Sequence, residues 1–388
     1  MNRGYRRTLY ASYLGYITQA IINNLAPLLF VIFQDEFHIS VAQIGFLVTY
    51  NFGVQILVDV LAARYAERLG YKPCIVAAHV LCAAGLVGLG VLPGLMPPYA
   101  GLLLAVTVYA VGGGLIEVLI SPIVQALPTD AKSSAMSLLH SFYCWGHAAV
   151  VILTTLFFWL AGTERWRLLT VLWAILPAAN AVLFVGCPIR VLSEDADPMP
   201  MKQLLRMGLF WLFALLMVCS GAAEQAMSQW ASYFAERGLQ VTKFMGDLLG
   251  PCLFALLMGL SRLFYGLKGE KISLKRFIVC SSLLCIVSYL IAVFAPLPVL
   301  ALVGCGLCGL SVGILWPGVF SLAAEYCPQG GTAMFALLAL AGDVGCSSGP
   351  SLVGAVAQGF HGQLKAGLLA AIVFPIILSI GVRFLKRK

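Results

Sequence analysis

Three carboxyl side chains lie deep inside long apolar stretches of the sequence: Glu117, Glu224 and Asp343. A charged group in such a setting is costly, so each is either functional or held by structural hydrogen bonds. A carboxyl group shielded from water can bind a proton near neutral pH and release it when its surroundings change. The sequence therefore predicts proton coupling at these three positions, with a purely structural hydrogen bond as the alternative at each. A fourth carboxyl side chain, Asp59, lies near the end of its stretch and is interpreted as part of the neighbouring loop network.

His140 is predicted to stand level with Glu117 on the next helix. With 1.5 Å per residue, Glu117 would lie about 14 Å and His140 about 12 Å from the same end of two adjacent antiparallel helices. An imidazole titrates near neutral pH and would modulate proton binding by the carboxyl group. The alternative is a hydrogen bond that fixes the packing of the two helices.

Five amide side chains are predicted at mid-depth in the first two apolar stretches: Gln19, Asn23, Asn24, Asn51 and Gln55. Gln19 and Asn23 are one helical turn apart, as are Asn51 and Gln55, so each pair shares a helix face. An amide donates and accepts hydrogen bonds at once, which suits the adjacent hydroxyl groups of a sugar. We predict solute contacts here, with hydrogen bonds between helices as the alternative.

Three further side chains are candidates for contact with the same solute: Trp145, Gln225 and Trp316. Gln225 follows Glu224 and lies at helical spacing from Ser228 and Gln229. The two indole rings could stack on the apolar face of a sugar. The alternatives are pairing of Gln225 with another helix and core packing of the tryptophans.

The composition indicates which elements must position these residues. Of 388 residues, 61% are hydrophobic and 10% are charged, whereas about 25% are charged in a soluble domain. These values exclude a soluble enzyme and a nucleic-acid-binding domain. A membrane-spanning helix needs about 20 apolar residues. Runs of this kind predict an all-α membrane protein with twelve spans, near 8–33, 41–66, 73–93, 98–127, 132–161, 166–187, 203–235, 244–266, 274–295, 297–324, 329–358 and 363–384.

The basic residues predict the orientation of these spans. Nineteen of the 24 Lys and Arg residues, including Arg262 at the end of its span, fall on the side that carries both termini, and the other five, including Lys243 in a loop, fall on the opposite side. Because Lys and Arg are enriched in cytoplasmic loops, both termini are expected in the cytoplasm of a cell membrane. No Lys or Arg is predicted in the middle of a span, which disfavours anionic solutes and favours neutral or cationic ones.

Twelve cysteines lie mostly inside the apolar runs, and Cys305 and Cys308 form a CxxC without a second pair. A structural zinc site needs four converging ligands, so these residues are interpreted as small apolar side chains. No nucleophile motif or phosphate-binding loop is present. We therefore expect no cofactor, no metal and no enzymatic activity.

The chain is predicted to contain an internal repeat. A hydrophilic linker, 188–202, separates a first bundle, 1–187, from a second bundle, 203–388. The fourth span contains Gly114-Leu115 followed by Pro122, and the tenth contains Gly309-Leu310 followed by Pro317 at the same spacing. Two halves with the same direction match a parallel repeat about the membrane normal.

The loops after the second and eighth spans carry a specific resemblance. The first reads Ala63-xxx-Glu67-Arg68-Leu69-Gly70-Tyr71-Lys72, and the second reads Gly266-xxx-Glu270-Lys271. The first resembles the loop signature of the major facilitator superfamily, with Ala63 in place of glycine and Glu67 in place of aspartate. On this resemblance the chain is identified as a member of that superfamily.

Shorter motifs are similar to the fucose permease and sugar–proton symporter branch of the superfamily. They are Gly112–Val118, Ala135–Phe142, Gly221 with Glu224 and Trp230, and Gly342–Gly345 with Gly349-Pro350. Members of that branch carry an acid in the first span, where this chain has Gln19–Asn24. The branch tends to have an asparagine where this chain has Ser121.

The resemblance implies a solute site between two six-helix bundles that rock to expose it on alternate sides. It also implies a cytoplasmic gate made of Glu67, Arg68, Gly70, Lys72, Gly266, Glu270 and Lys271. The expected function is proton-coupled uptake of a small neutral solute, most simply a sugar. Export of lipophilic cations in exchange for protons is the alternative, a channel is a further one, and sodium in place of the proton stays open.

Overall fold

The computed structural model is helical throughout the residues that it describes, which are 3–128, 132–189, 201–268, 272–327 and 331–385. Helices satisfy every backbone hydrogen bond within one segment, which is what a lipid environment demands. The chain divides into two compact units. The first comprises Met1–Ile39 and Tyr50–Ser193, and the second comprises Ser40–Thr49 and Glu194–Lys388.

The first half of the chain forms helices that are joined by short connections. A 3-10 turn, Ala26–Leu29, connects the first two of them. The helices are α1 (Arg3–Asn24), α2 (Phe30–Phe37), α3 (Val41–Leu69), α4 (Tyr71–Leu95), α5 (Pro98–Gln125), α6 (Lys132–Ala161) and α7 (Trp166–Val185).

The second half is more interrupted, with π-helical turns at Phe234–Gly238 and Leu248–Cys252. Its helices are α8 (Met201–Leu204), α9 (Gly208–Ser228), α10 (Ala231–Tyr233), α11 (Lys243–Asp247), α12 (Leu253–Lys268), α13 (Leu274–Phe294), α14 (Pro298–Val312), α15 (Leu315–Tyr326), α16 (Gly331–Gly359), α17 (Leu364–Ala371) and α18 (Val373–Phe384).

Eleven helical segments among the described residues are long and apolar enough to cross a membrane. They correspond to eleven of the twelve predicted spans. The predicted span 329–358 corresponds to α16, a helix of 29 residues. The prediction of an all-helical, multi-span membrane protein is therefore confirmed.

The two glycine–proline motifs make equivalent contacts in the two halves of the chain. A Cβ atom on Gly114 of α5 would lie 3.1 Å from the backbone oxygen of Gln55 on α3. A Cβ atom on Gly309 of α14 would collide with the backbone oxygen of Phe254 on α12. In each half the fourth span packs against the second, as a parallel repeat predicts.

All twelve cysteines are free thiols. Eleven of them are buried and Cys280 is exposed. The sulfur atoms of Cys285 and Cys308 lie 3.9 Å apart in the interior of the second unit. These side chains pack as small apolar groups, which is the interpretation that the sequence favoured.

The predicted linker and gate are described only in part. Residues 190–200 of the linker, together with Glu270 and Lys271, lie outside the described residues, and so do the side chains of Glu67 and Arg68 and the surroundings of Gly266. Gly70 separates α3 from α4 with a φ of +88°, a backbone conformation that glycine adopts without strain. Lys72 lies on the first turn of α4.

Candidate proton and solute site

Four of the five predicted amides meet between α1 and α3. Gln19 Nε2 donates to Gln55 Oε1 at 2.9 Å, and Gln55 Nε2 donates to Asn23 Oδ1 at 3.0 Å. Asn51 Nδ2 donates to the same Asn23 oxygen at 3.3 Å. All four side chains are buried. We call these four residues the amide cluster.

Glu117 on α5 is joined to this cluster by a single amide. Gln19 Nε2 donates to Glu117 Oε2 at 3.1 Å. Gly113, one helical turn before Glu117, packs closely against these amides: a Cβ atom there would lie 3.2 Å from Gln19 Oε1 and 3.4 Å from the Gln55 amide carbon. No salt bridge to Glu117 occurs within the described part of the chain.

His140 lies on α6, and its described ring contact is with Tyr16 of α1. Its exposed ring stands edge-on to Tyr16, with ring centroids 5.2 Å apart. The Tyr16 hydroxyl forms a 3.0 Å hydrogen bond with Ser121 Oγ. Ser121 is one helical turn after Glu117, so both side chains lie on the same face of α5.

None of the described hydrogen bonds joins Asn24 or Trp145 to the amide cluster. Asn24 Nδ2 donates to the Ala20 backbone oxygen at 2.9 Å and to the Tyr143 hydroxyl at 3.3 Å. Trp145 is 40% exposed. Asn24 therefore connects α1 with α6, as the interhelical alternative predicted for the amides.

Glu224 on α9 has a different set of neighbours in the second unit. Arg262 Nη2 lies 3.7 Å from its Oε2 atom. Gln225 Nε2 donates to its Oε1 atom at 3.4 Å, and Gln229 Nε2 donates to Gln225 Oε1 at 2.9 Å. Both Glu224 and Gln225 are buried. This carboxylate is therefore paired with a guanidinium group.

The position of Arg262 follows from a break in the opposing helix. Arg262 Nε donates to the backbone oxygen of Gly313 at 3.1 Å. Pro317 stands four residues after Gly313 and has no N–H to donate to that oxygen. The carbonyl group is thereby left free for the guanidinium. Sequence reasoning missed this pairing, although the spacing of Gly313 and Pro317 was a usable signal.

The pairing corrects one expectation from the sequence. The sequence places Arg262 at the cytoplasmic end of its span. It therefore predicts no basic side chain next to the acids inside the membrane. Its guanidinium group instead reaches Glu224, a buried residue of another helix. The sequence disfavoured anionic solutes because it predicted no such base. That reasoning does not apply to the second unit.

Asp343 and Trp316 lie next to each other in the second unit. Asp343 is 5% exposed on α16. A Cβ atom on the adjacent Gly342 would collide with the Trp316 ring. Trp316 therefore packs against the backbone of α16 beside Asp343, and its ring also lies 6.1 Å from that of Phe320.

A second ionic cluster in this unit was not predicted. Lys243 Nζ lies 2.9 Å from Glu236 Oε1 and 3.2 Å from Asp247 Oδ2. Ser232 Oγ donates to Asp247 Oδ1 at 2.5 Å. The sequence assigned Lys243 to an outer loop, and the i,i+4 spacing of Lys243 and Asp247 was the signal overlooked.

Comparisons with known proteins agree with this architecture. Residues 12–350 match the sequence profile of the Major Facilitator Superfamily. "Membrane protein MosC" of Rhizobium meliloti is 24% identical over 351 residues, which cover 90% of this chain and 81% of that protein.

Solved structures share the fold at low sequence identity. A bacterial homolog of the human lysosomal transporter Spinster, in an inward-facing and occupied conformation, matches with a TM-score of 0.78 at 15% identity, covering 99% of this chain and 97% of that chain. A D-xylose–proton symporter matches at 0.76 and 14%, covering 96% of each chain. FucP in the outward conformation matches at 0.68 and 18%, over the full length of both chains.

Proposed function

Because the chain belongs to the major facilitator superfamily and is a secondary transporter, we propose that it couples uptake of a small neutral solute to the entry of a proton that binds at Glu117. The solute class that fits best is a sugar or a similar polyol. The proposed route is alternating access across a cell membrane, with both termini in the cytoplasm.

The observation that carries the proposal is the environment of Glu117. Its carboxyl group receives the Gln19 amide and forms no salt bridge within the described residues. A carboxyl group among neutral neighbours can gain and lose a proton without leaving a buried cation uncompensated. His140, Glu224 and Asp343 remain further candidates, but Glu224 has Arg262 as its counter-charge.

The amide cluster supports the choice of solute. Gln19 Oε1 and Asn51 Oδ1 are buried acceptor atoms that have no hydrogen-bond partner. A buried polar atom without a partner is costly, so a solute that donates hydrogen bonds would be stabilised there. Hydroxyl groups of a sugar are such donors. FucP, described as a fucose:proton symporter of E. coli, and the D-xylose–proton symporter share the fold of this chain.

Transport by purified protein in proteoliposomes tests the proposal. L-Fucose and D-xylose are the first solutes, each measured for accumulation under an inward proton gradient and for counterflow without one. We expect Glu117→Gln to abolish accumulation while counterflow persists, since the variant resembles a permanently protonated carboxyl group. Glu36→Gln, which changes an exposed carboxylate outside the site, is the control and should still accumulate solute.

Two outcomes would contradict the proposal. Accumulation by Glu117→Gln at the wild-type level would exclude this residue as the coupling group. Exchange of protons for lipophilic cations, with no response to sugars, would favour the antiporter. That second candidate is supported by the same carboxyl group, because an acid without a salt bridge can act as counter-ion for a cationic solute.

A further inference from the structure

The geometry around Gln19 points to a coupling device, and we propose that this amide transmits the protonation state of Glu117 to the rest of the amide cluster. The inference rests on the proposed function and extends it. It assigns to Gln19 a positioning role between the proton site and the atoms that face the solute.

Gln19 stands at the junction of the two parts of the site. Its Nε2 atom donates both to Gln55 Oε1 at 2.9 Å and to Glu117 Oε2 at 3.1 Å. An amide nitrogen carries two hydrogen atoms, so both are used. Its Oε1 atom is buried without a partner. The amide is therefore saturated as a donor and unused as an acceptor.

This orientation fits an ionised Glu117 and not one that carries its proton on Oε2, the oxygen that accepts from Gln19. A carboxylate only accepts hydrogen bonds, whereas a carboxylic acid also donates one. When a proton from water adds to Glu117 Oε2, that atom becomes a donor and faces another donor, Gln19 Nε2. A half-turn of the Gln19 amide brings its unpartnered Oε1 atom toward the new O–H and restores a hydrogen bond.

The half-turn cannot stop at Gln19. After the half-turn, Gln19 Oε1 faces both the carboxylic acid and Gln55 Oε1. The two amide oxygens are then in contact, and both are acceptors. Gln55 must then turn as well, which withdraws its Nε2 atom from Asn23 Oδ1. Proton binding at Glu117 thereby changes which donors and acceptors of Gln55 and Asn23 are free to bind a solute.

Other titratable groups stand on the helices packed around Glu117. Among them are Tyr16 on α1, Asp59 on α3, His79 on α4, and His140 and His147 on α6. Tyr16 bonds to Ser121, and His79 Nε2 is 2.9 Å from Asn180 Nδ2. Among the described hydrogen bonds, those of the Gln19 amide connect Glu117 with Gln55 and thereby with the rest of the amide cluster.

The second unit shows what the same amide chemistry does beside a paired acid. Gln229 donates to Gln225, and Gln225 donates to Glu224. Arg262 lies 3.7 Å from Glu224 and favours its ionised form. Gln225 is therefore expected to keep one orientation, which makes Gln225→Met an internal control for Gln19→Met.

Infrared difference spectroscopy between acid and alkaline pH tests the inference without any solute. The sample is the full chain in lipid nanodiscs, with ¹³C-labelled glutamine side chains. We expect a carboxyl band that is lost in Glu117→Gln. We also expect a glutamine carbonyl band with the same pH midpoint, lost in both Gln19→Met and Glu117→Gln. Gln225→Met and the exposed Gln358→Met should retain both bands.

The possible results separate the inference from the proposed function. A Glu117 band without a matching glutamine band would overturn the inference and leave the proposed function intact. Absence of the Glu117 band would overturn both. If Gln19→Met does not fold, the nearly isosteric Glu117→Gln still tests the inference. A glutamine band that persists in Glu117→Gln would not depend on Glu117 and would overturn the inference.

Discussion

Glu117 and Glu224 are both acids on helices of a membrane protein, and both accept a hydrogen bond from a glutamine amide. They differ in what else surrounds them. Glu224 has the Arg262 guanidinium 3.7 Å away, whereas Glu117 has only neutral hydrogen-bonding neighbours among the contacts described. The difference separates an acid that has a counter-charge from an acid that has none among the described contacts.

The comparison also shows how an acid is kept inside a membrane protein at low cost. In the second unit the charge is compensated by a cation, which is itself held by the Gly313 carbonyl. In the first unit the described hydrogen bond to the carboxyl group comes from one amide, Gln19, whose nitrogen and oxygen atoms can serve either protonation state. Only the arrangement in the first unit allows the carboxyl group to gain or lose a proton without breaking an ion pair.

Arg262→Met should produce the largest change. Removing the partly exposed Arg262 leaves the buried Glu224 without its counter-charge, so we expect a loss of about 3 kcal/mol in the free energy of unfolding. Arg167→Met is the matched control, because its pair with Glu36 is exposed and should contribute about 1 kcal/mol or less. Unfolding in mixed detergent micelles measures both. Equal losses in the two variants would mean that Glu224 and Arg262 are not a true pair.

The two glutamate-to-glutamine variants should differ in stability. Glu224→Gln leaves a guanidinium without its counter-charge, and we expect a loss of about 2 kcal/mol. Glu117→Gln breaks no ion pair and should cost about 1 kcal/mol or less. Adding Glu224→Gln to Arg262→Met should restore part of the stability. A larger loss for Glu117→Gln would remove the distinction between the two acids.

Tyr16→Phe and Tyr289→Phe remove equivalent hydroxyl groups near the two acids. Tyr16 bonds to Ser121 at 3.0 Å, and Tyr289 donates to the Ala223 backbone oxygen at 2.9 Å. Each loss should cost about 1 kcal/mol. Only Tyr16→Phe should change the pH midpoint of the Glu117 infrared band, and an equal change in Tyr289→Phe would argue against a local effect.

Gly113→Ala tests how closely the amide cluster packs against α5. A new Cβ atom would press on Gln19 Oε1 and the Gln55 amide. Alanine normally stabilises a helix by up to about 1 kcal/mol relative to glycine, and Gly53→Ala should show that gain because nothing lies within 4 Å of the new atom. We expect Gly113→Ala to show no gain in thermal unfolding. A gain in both would indicate a loose cluster.

Much of the fold was predictable from composition and spacing. Apolar runs of span length and the motifs at Gly114 and Gly309 follow from rules of helix length and close packing. The four members of the amide cluster were predicted as two helix faces, because residues one turn apart must share a side. Their meeting across α1 and α3 follows from the packing of the two helices, which no spacing within one helix specifies.

The parts that escaped prediction have a common physical cause. Arg262 and Lys243 stand near predicted span ends, where a long side chain ordinarily extends into water. Here each side chain extends instead toward buried carboxylates, Glu224 and Asp247. The direction of a flexible side chain depends on partners far away in sequence. The direction of the His140 side chain was equally difficult to predict: its described ring contact is with Tyr16 on another helix.

The cysteines give the protein a built-in reporter of its own motion. Eleven of the twelve thiols are buried and Cys280 is exposed, so any other sulfur atom that reacts with a membrane-impermeant maleimide is one that a working cycle brings into contact with water. The unmodified polypeptide could therefore be mapped by mass spectrometry during turnover, without engineered labels, and the modified positions would show which helix surfaces separate.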